Sequence, residues 1–345
     1  MSKLRIMLIG FGVVGQSFAK ILSDRYSELV KTYGVRPQLV AILDRRGAAI
    51  NEKGLDIKRI LSVKQSKGTV ANDSEFGRKD APVLDTIENM DADVVVESTL
   101  TNVKTGEPGL SHIMAALKSG KHVITTNKGP LAVALPALME LAQYNDVHLR
   151  FSGTVGGGTP VLDFAKKCLL GDRIVSVRGI LNGTTNYILS RMTSEKLNFE
   201  ECLAAAQKAG YAEADPSMDI DGLDAACKLV IIANWIMNLK VTLKDVDVKG
   251  IRNVALEAID AAEKDGCELK LIGSINNKLE VKPQPVHKKN PLCVSGVLNA
   301  VTYASEHAGE ETIVGKGAGG VETASAVLRD LIAIKRSLTA SVDTY

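Results

Sequence analysis

The chain has 345 residues, room for two domains or for one large domain with an excursion. Hydrophobic residues make up 45% and charged residues 24%, a globular composition that excludes disordered and fibrous classes. With 42 basic against 40 acidic residues and 4% aromatics, it lacks the charge footprint of a nucleic-acid or anionic-membrane partner, and the stacking platforms that single strands need.

Cys168, Cys202, Cys227, Cys267 and Cys293 are scattered and form no CxxC pair. That argues against a zinc site and against a disulfide framework, and it fits a reducing cytoplasm. The opening "MSKLRIMLIGFGVVG" has the basic-then-apolar order of a signal peptide, but its glycines are regularly spaced and no small-residue cleavage site follows. The apolar run "LVIIANWIM" is shorter than the roughly 20 residues that span a bilayer, so a soluble protein is expected.

Taken in chain order, "LRIMLIG" reads as a buried strand, "VVGQSFAKILSDRYSELV" as one helix, and "QLVAILD" as a second strand ending at Asp44. A Gly- and Lys-rich excursion follows. Then "ADVVVEST" gives a third strand, "GLSHIMAALKSG" a helix and "KHVITT" a fourth strand. Strands alternating with helices predict parallel βαβ units covered on both faces. The pattern changes from "VHLRFSG" onward. "RIVSVRGIL", "CVSGVLNAVTY" and "ETIVGKG" read as strands, and "FEECLAAAQKAG", "LDAACKLVIIANWIM" and "ETASAVLRDLIAIKRSL" as helices, an α+β section.

Gly10, Phe11, Gly12, Val13, Val14 and Gly15 form a GxGxxG between the first strand and the first helix. In that context Gly10 permits a tight turn, Gly12 lets backbone approach a pyrophosphate, and Gly15 lets helix pack on strand. The helix N-terminus supplies N–H groups for the phosphates. The fold class expected is therefore α/β, with a Rossmann-type dinucleotide-binding domain over residues 1–150. Asp44 ends the second strand where a carboxylate binds the adenosine ribose hydroxyls of NAD, while Arg45 and Arg46 suit the 2′-phosphate of NADP. The arginines also fit a solvated turn; NADP is favoured, with NAD as the alternative.

"EADPSMDIDGLDAACK" (213–228) concentrates carboxylates around one lysine. As an EF-hand loop with Gly222 at position 6, it would put Lys228 where a bidentate glutamate is required, so calcium is rejected. A simpler reading makes Asp219 or Asp221 the N-cap of the following helix and Asp224–Lys228 an exposed i,i+4 pair. Because an apolar run surrounds Lys228, the helix is expected to be buried on most faces, with the Asp224–Lys228 edge facing a cleft.

With "TTNKGPLA", "GTVGGGTPV", "LNGTTNYIL", "DIDGLDAACK" and "GKGAGG…TASAV" in order, the chain resembles the homoserine dehydrogenases over almost its whole length. The resemblance implies reversible NAD(P)H-dependent reduction of L-aspartate 4-semialdehyde to L-homoserine, on the route to threonine and methionine. It also implies a homodimer, a catalytic and dimerisation domain over 151–314, and a C-terminal helix over about 315–345 returning to the cofactor domain. Residue by residue it assigns Gly12 to Val14 to the cofactor turn and Thr99 to a position beside the nicotinamide. It assigns Lys128 to the active site, Gly210 and Glu213 to cofactor and substrate, Asp224 to substrate binding, Lys228 to catalysis, and Gly319 to a late cofactor contact.

Two positions depart from the family. Ser152 stands where many members carry a glutamate that helps hold a monovalent cation, leaving only the backbone carbonyls of Val155, Gly157 and Thr159 as ligands, a weak set. Glu322 replaces a proline before "TA" and suits the start of the last helix. The sequence stops at Tyr345, so neither the regulatory domain nor the aspartate kinase fusion of longer members is expected.

In this chemistry Glu213 and Asp219 would pair with the substrate ammonium. Thr184, Thr185 and Asn186 in "NGTTNY", after Gly183, would offer hydroxyl and amide groups to its carboxylate, although a plain turn explains them almost as well. Reducing the aldehyde creates an alkoxide that must be stabilised and protonated; Lys228 oriented by Asp224 is the favoured donor, with Lys128 holding substrate and polarising the carbonyl and standing as the alternative donor. A phosphorylating semialdehyde dehydrogenase would need an activated cysteine in a loop, which the five cysteines do not provide. A nucleotide-binding sensor without turnover is the non-enzymatic alternative. His112, His122, His148, His287 and His307 show no spacing for a triad or metal and read as structural.

Overall fold

Short extended runs fold as strands, buried on both faces at the centre of a sheet, as in Leu4–Ile9 and Val94–Glu97. In the computed structural model, which describes residues 3–340, they build two sheets in two units, Met1–Thr154 with Gly319–Tyr345, and Val155–Ala318. Residues 341–345 of the expected C-terminal helix lie outside the described residues.

The first unit holds β1 (Leu4–Ile9), β2 (Pro37–Asp44), β3 (Gly47–Ile50), β4 (Gly77–Lys79), β5 (Val94–Glu97), β6 (His122–Thr125) and β7 (Leu149–Arg150). Their order is β4-β3-β2-β1-β5-β6-β7. The strands from β2 to β7 across β1 run parallel, while β3 and β4 add an antiparallel edge within the Gly- and Lys-rich excursion. From β1 the chain goes to β2 on one side and later to β5 on the other. The crevice beyond Ile9 is thus a topological switch point, where open α/β sheets bind ligands.

The helix expected over "VVGQSFAKILSDRYSELV" is two, Val13–Asp24 and Tyr26–Tyr33, because Arg25 leaves helical geometry at φ −106° and ψ 18°. Helix Gly320–Ala340 packs on Val13–Asp24, and its Ala324, Val327, Leu328, Leu331 and Ile334 join Ile6, Leu8, Phe18 and Leu22 in one buried cluster.

The second unit holds β8 (Ile174–Ile180), β9 (Val246–Val248), β10 (Cys267–Ile275), β11 (Leu279–His287), β12 (Leu298–Ser305) and β13 (Gly309–Lys316), in the order β13-β12-β8-β10-β11-β9. All neighbours are antiparallel except β11 and β9. The β10–β11 hairpin is hidden in the sequence by Pro283 and Pro285. Both sit beyond Leu279–Val281, the part of β11 that pairs with β9, so their missing N–H groups cost no ladder bond on that flank. Helix Leu223–Met237 lies on this sheet, buried continuously from Asp224 to Asn234.

Among the described residues no helix is long and apolar enough to cross a membrane. All five cysteines are free thiols.

Candidate active site

In the first unit the glycine turn divides its labour as steric limits require. Gly10 has φ +91°, and a Cβ there would meet the Ser98 carbonyl oxygen at 2.5 Å. At Gly15 a Cβ would lie 2.3 Å from the Gly10 oxygen, so only a bare α-carbon lets the helix reach the turn. Gly12 differs: a Cβ there would meet no atom of the described residues within 4 Å. It is the N-cap of helix Val13–Asp24 and offers no side-chain cap. The result is an open cradle of backbone N–H groups with the helix dipole behind it, which fits a pyrophosphate. Val13 is 72% exposed at its mouth. Gly320 arrives beside it, where a Cβ would strike Val13 Cγ1 at 2.3 Å, and Gly319 precedes it at φ +134°. Glu322 lies in the first turn of the last helix, as its charge suits.

Asp44 ends β2 as expected, but its carboxylate is already engaged. It accepts from Lys64 Nζ at 2.7 Å, Thr69 Oγ1 at 2.8 Å, and the amides of Val70 and Arg46 at 3.0 Å each. Burial alone would raise this carboxyl; the Lys64 ammonium and the other donors outweigh it and hold it below the usual carboxylate range. Arg45 and Arg46 beside it are exposed.

Thr99 is fixed by a residue that sequence reasoning passes over. Glu97, fully buried at the end of β5, accepts from the Thr99 amide at 2.9 Å, the Thr99 hydroxyl, and Thr125 Oγ1 at 3.0 Å. Asn127 donates to Thr99 Oγ1 at 3.4 Å and the Leu100 carbonyl at 3.3 Å, while its oxygen caps the Gly129 amide at 3.1 Å. Lys128, the first residue of helix Lys128–Tyr144, is thereby set at a capped and anchored helix start. The signal for Glu97 is a lone acid closing the valine run "DVVVE", a position where burial demands partners.

The second unit brings Asp219, Asp224 and Lys228 together. Lys228 Nζ donates to Asp224 Oδ2 at 2.7 Å and to the Leu181 carbonyl at 2.7 Å. Asn182 Nδ2 donates to Asp224 Oδ2 at 2.9 Å and Asp219 Oδ1 at 2.6 Å. Asp224 and Lys228 are each 6% exposed, so the pair is a buried one and not the exposed i,i+4 pair of the simpler reading. Burial, then the charge of Asp224, pushes the Asp219 carboxyl up.

The capping expectation also fails: helix Leu223–Met237 starts from Gly222 at φ +85° with no side-chain cap. Asp221 instead pairs with Arg252, and Asp219 with Asn182. Gly183 opens helix Gly183–Glu195 in place of the plain turn that was one of the two sequence readings, and Asn182 caps it through the Thr185 amide at 2.9 Å. Thr184 Oγ1 donates to the Tyr211 carbonyl at 2.8 Å, tying that helix to the loop that carries Gly210, at φ +75°, and an exposed Glu213.

The Ser152 amide donates to Asp330 at 2.9 Å, and Arg329 Nη2 reaches the Ser152 hydroxyl at 3.5 Å. Val155 is buried, Gly157 has φ +55°, and the Thr159 carbonyl accepts the Val161 amide at 2.8 Å. Among the described residues no group of three His, Cys, Asp or Glu could hold a metal. The histidines are less isolated than expected: His122 and His148 stack at 5.2 Å, and the His148 amide donates to His122 Nδ1 at 3.0 Å.

Residues 160–332 match the homoserine dehydrogenase family model, and residues 10–152 match the model of that family's NAD-binding domain. The chain belongs to the homoserine dehydrogenase family. It is 47% identical to the homoserine dehydrogenase of Methanocaldococcus jannaschii, covering 96% of this chain and 98% of that one. It is 38% identical to an NAD(+)-dependent homoserine dehydrogenase of Pseudomonas canavaninivorans, covering 98% of each. A putative homoserine dehydrogenase from Archaeoglobus fulgidus superposes with a TM-score of 0.89 at 40% identity, over 96% of this chain and 99% of that one. A hyperthermophilic archaeal homoserine dehydrogenase in complex with NADPH has a TM-score of 0.85 at 29% identity, over 97% of this chain and 98% of that one. The enzyme is therefore an NAD(P)-dependent oxidoreductase that interconverts L-aspartate 4-semialdehyde and L-homoserine in amino-acid biosynthesis.

Proposed function

We propose that Lys228 is the proton donor in aldehyde reduction and the acceptor in the reverse direction, and that Asp224 orients it. When bound, the nicotinamide supplies or takes up the hydride. As the substrate oxygen gains negative charge, Lys228 Nζ gives it a proton, directly or through one water, while Lys128 polarises the same oxygen. Asp219 and Glu213 pair with the substrate ammonium, and the Gly183–Thr184 helix start faces the substrate carboxylate. Thr99 and the Gly10–Gly15 turn hold the cofactor, with Gly210 and Gly319 as further contacts.

The observation that carries this reading is the buried pair of Asp224 and Lys228 braced by Asn182. A solvated ion pair needs no such brace, and burying one brings little net stability. Lys228→Ala tests it: turnover at saturating homoserine should fall by about 10²-fold or more. Near-normal turnover would sink the assignment.

For the cofactor, the carboxylate of Asp44 is neutralised by Lys64 and carries four donors, which removes the acceptor that would favour NAD and repel a phosphate. Exposed Arg45 and Arg46 then give NADP the advantage. Homoserine-dependent reduction of NAD⁺ and NADP⁺, measured side by side, should favour NADP⁺ in kcat/KM; activity with neither would favour a sensor. A homodimer and a cytoplasmic setting complete the proposal, supported by the family resemblance and the free thiols. Sedimentation of the purified enzyme checks the dimer.

A further inference from the structure

Asn299, in β12, is 3% exposed and has no part in the scheme above. Its Nδ2 donates to the Leu181 carbonyl at 3.0 Å, the same oxygen that accepts Lys228 Nζ at 2.7 Å. The amide is itself pinned. A Cβ on Gly317 would lie 1.9 Å from Asn299 Nδ2, so bare backbone just after β13 is pressed against it. Its other atom, Oδ1, is buried and has no hydrogen-bond partner among the described residues. A buried acceptor left unmatched destabilises a fold relative to an apolar side chain of the same shape. What the amide adds at this position is its donor, given to the carbonyl beside Lys228.

Leu181 and Asn182 follow β8 directly, and the two residues brace opposite ends of one ion pair. The Asn182 side chain holds Asp224, and the Leu181 carbonyl holds Lys228. The Asn182 side chain is held in turn by capping the Thr185 amide. The Leu181 carbonyl has Asn299 for that purpose. We infer that Asn299 is a positioning residue for the reaction: it fixes the Leu181 carbonyl so that this oxygen and Asp224 together aim Lys228 Nζ. This rests on the reading of Lys228 as proton donor. It also accounts for the first part of the "GKGAGG" motif, since any side chain at Gly317 would displace the Asn299 amide.

The test compares Asn299→Leu, Lys228→Ala and the double variant for kcat, both KM values and Tm. Asn299→Leu should lower kcat by about tenfold or more, because misplacing a reacting group is costly even when the change lies outside the reacting atoms. KM for NADP⁺ should stay within about twofold, and Tm should not fall. In the double variant the substitution at 299 should add nothing to the loss from Lys228→Ala, since it acts through that lysine.

A kcat within about twofold of the parent for Asn299→Leu, or losses that multiply in the double variant, would overturn the inference while leaving Lys228 as donor. Near-normal turnover by Lys228→Ala would instead overturn the donor assignment, and this inference with it. If Asn299→Leu does not accumulate as folded protein, Asn299→Ser carries the same kinetic expectations, being too short to reach Leu181 and adding no bulk beside Gly317.

Discussion

The two units prepare their parts of the reaction with opposite materials. The cofactor turn is made of backbone: three glycines, a helix end, and open space above Gly12. The lysine cluster of the second unit is made of side chains drawn from separate elements, buried and hydrogen-bonded to one another. A backbone cradle depends on what is not there, so adding atoms damages it. A side-chain cluster depends on every member, so exchanging one group for its isostere damages it.

The comparison is tested most severely at Asp224. Asp224→Asn keeps the volume but removes the charge that Lys228 and Asn182 both address, and kcat should fall by about 10²-fold. Intact turnover would mean that the carboxylate is a packing element only. Next come the glycines. Gly15→Ala drives a Cβ to 2.3 Å from the Gly10 oxygen, so thermal unfolding should show a loss of about 1–3 kcal/mol. Gly12→Ala meets no atom within 4 Å and should fold with an unchanged Tm, yet raise KM for the nicotinamide cofactor several-fold. If both alanines shift Tm alike, the division between packing glycine and ligand glycine is wrong.

The smallest effect concerns acid. Burial, and for His122 the neighbouring His148 charge, holds both ring systems below the usual histidine range. In the unfolded chain they take protons near pH 6.5. The unfolded state therefore binds more protons as pH falls below about 6.5, and the stability present above that value is lost as pH drops towards the lower folded values. Tm should decline by about 2–4 °C for each kcal/mol so lost, and His148→Gln should flatten that decline.

How much was legible follows from the same contrast. The glycine turn, its strand and its helix were readable because the constraint is local: residues 10–15 meet each other and the adjoining backbone. Lys228 and Asp224 were readable as a pair from their spacing, and the family resemblance gave them a role. Their burial was not, because it depends on Leu181 and Asn182, more than forty positions away. Asp221 looked like a cap because its position before the helix is right; Arg252 won it, a partner that only the tertiary fold supplies. Glu97 and Asn299 escaped notice for the same reason: Thr125 for Glu97 and Leu181 for Asn299 are partners distant in sequence that only the fold brings close.

Helix Gly320–Ala340 belongs to the same buried cluster as Ile6, Leu8 and Phe18. A ribosome delivers those early strands long before Ala324, Val327, Leu328, Leu331 and Ile334 exist to cover them. During synthesis the nucleotide-binding half must wait, with apolar surface exposed, until all of Val155–Ala318 has been made. The lysine-bearing half has no such dependence. Released chains that end at residue 318 should therefore present a finished second unit beside an unfinished first one that attracts chaperones.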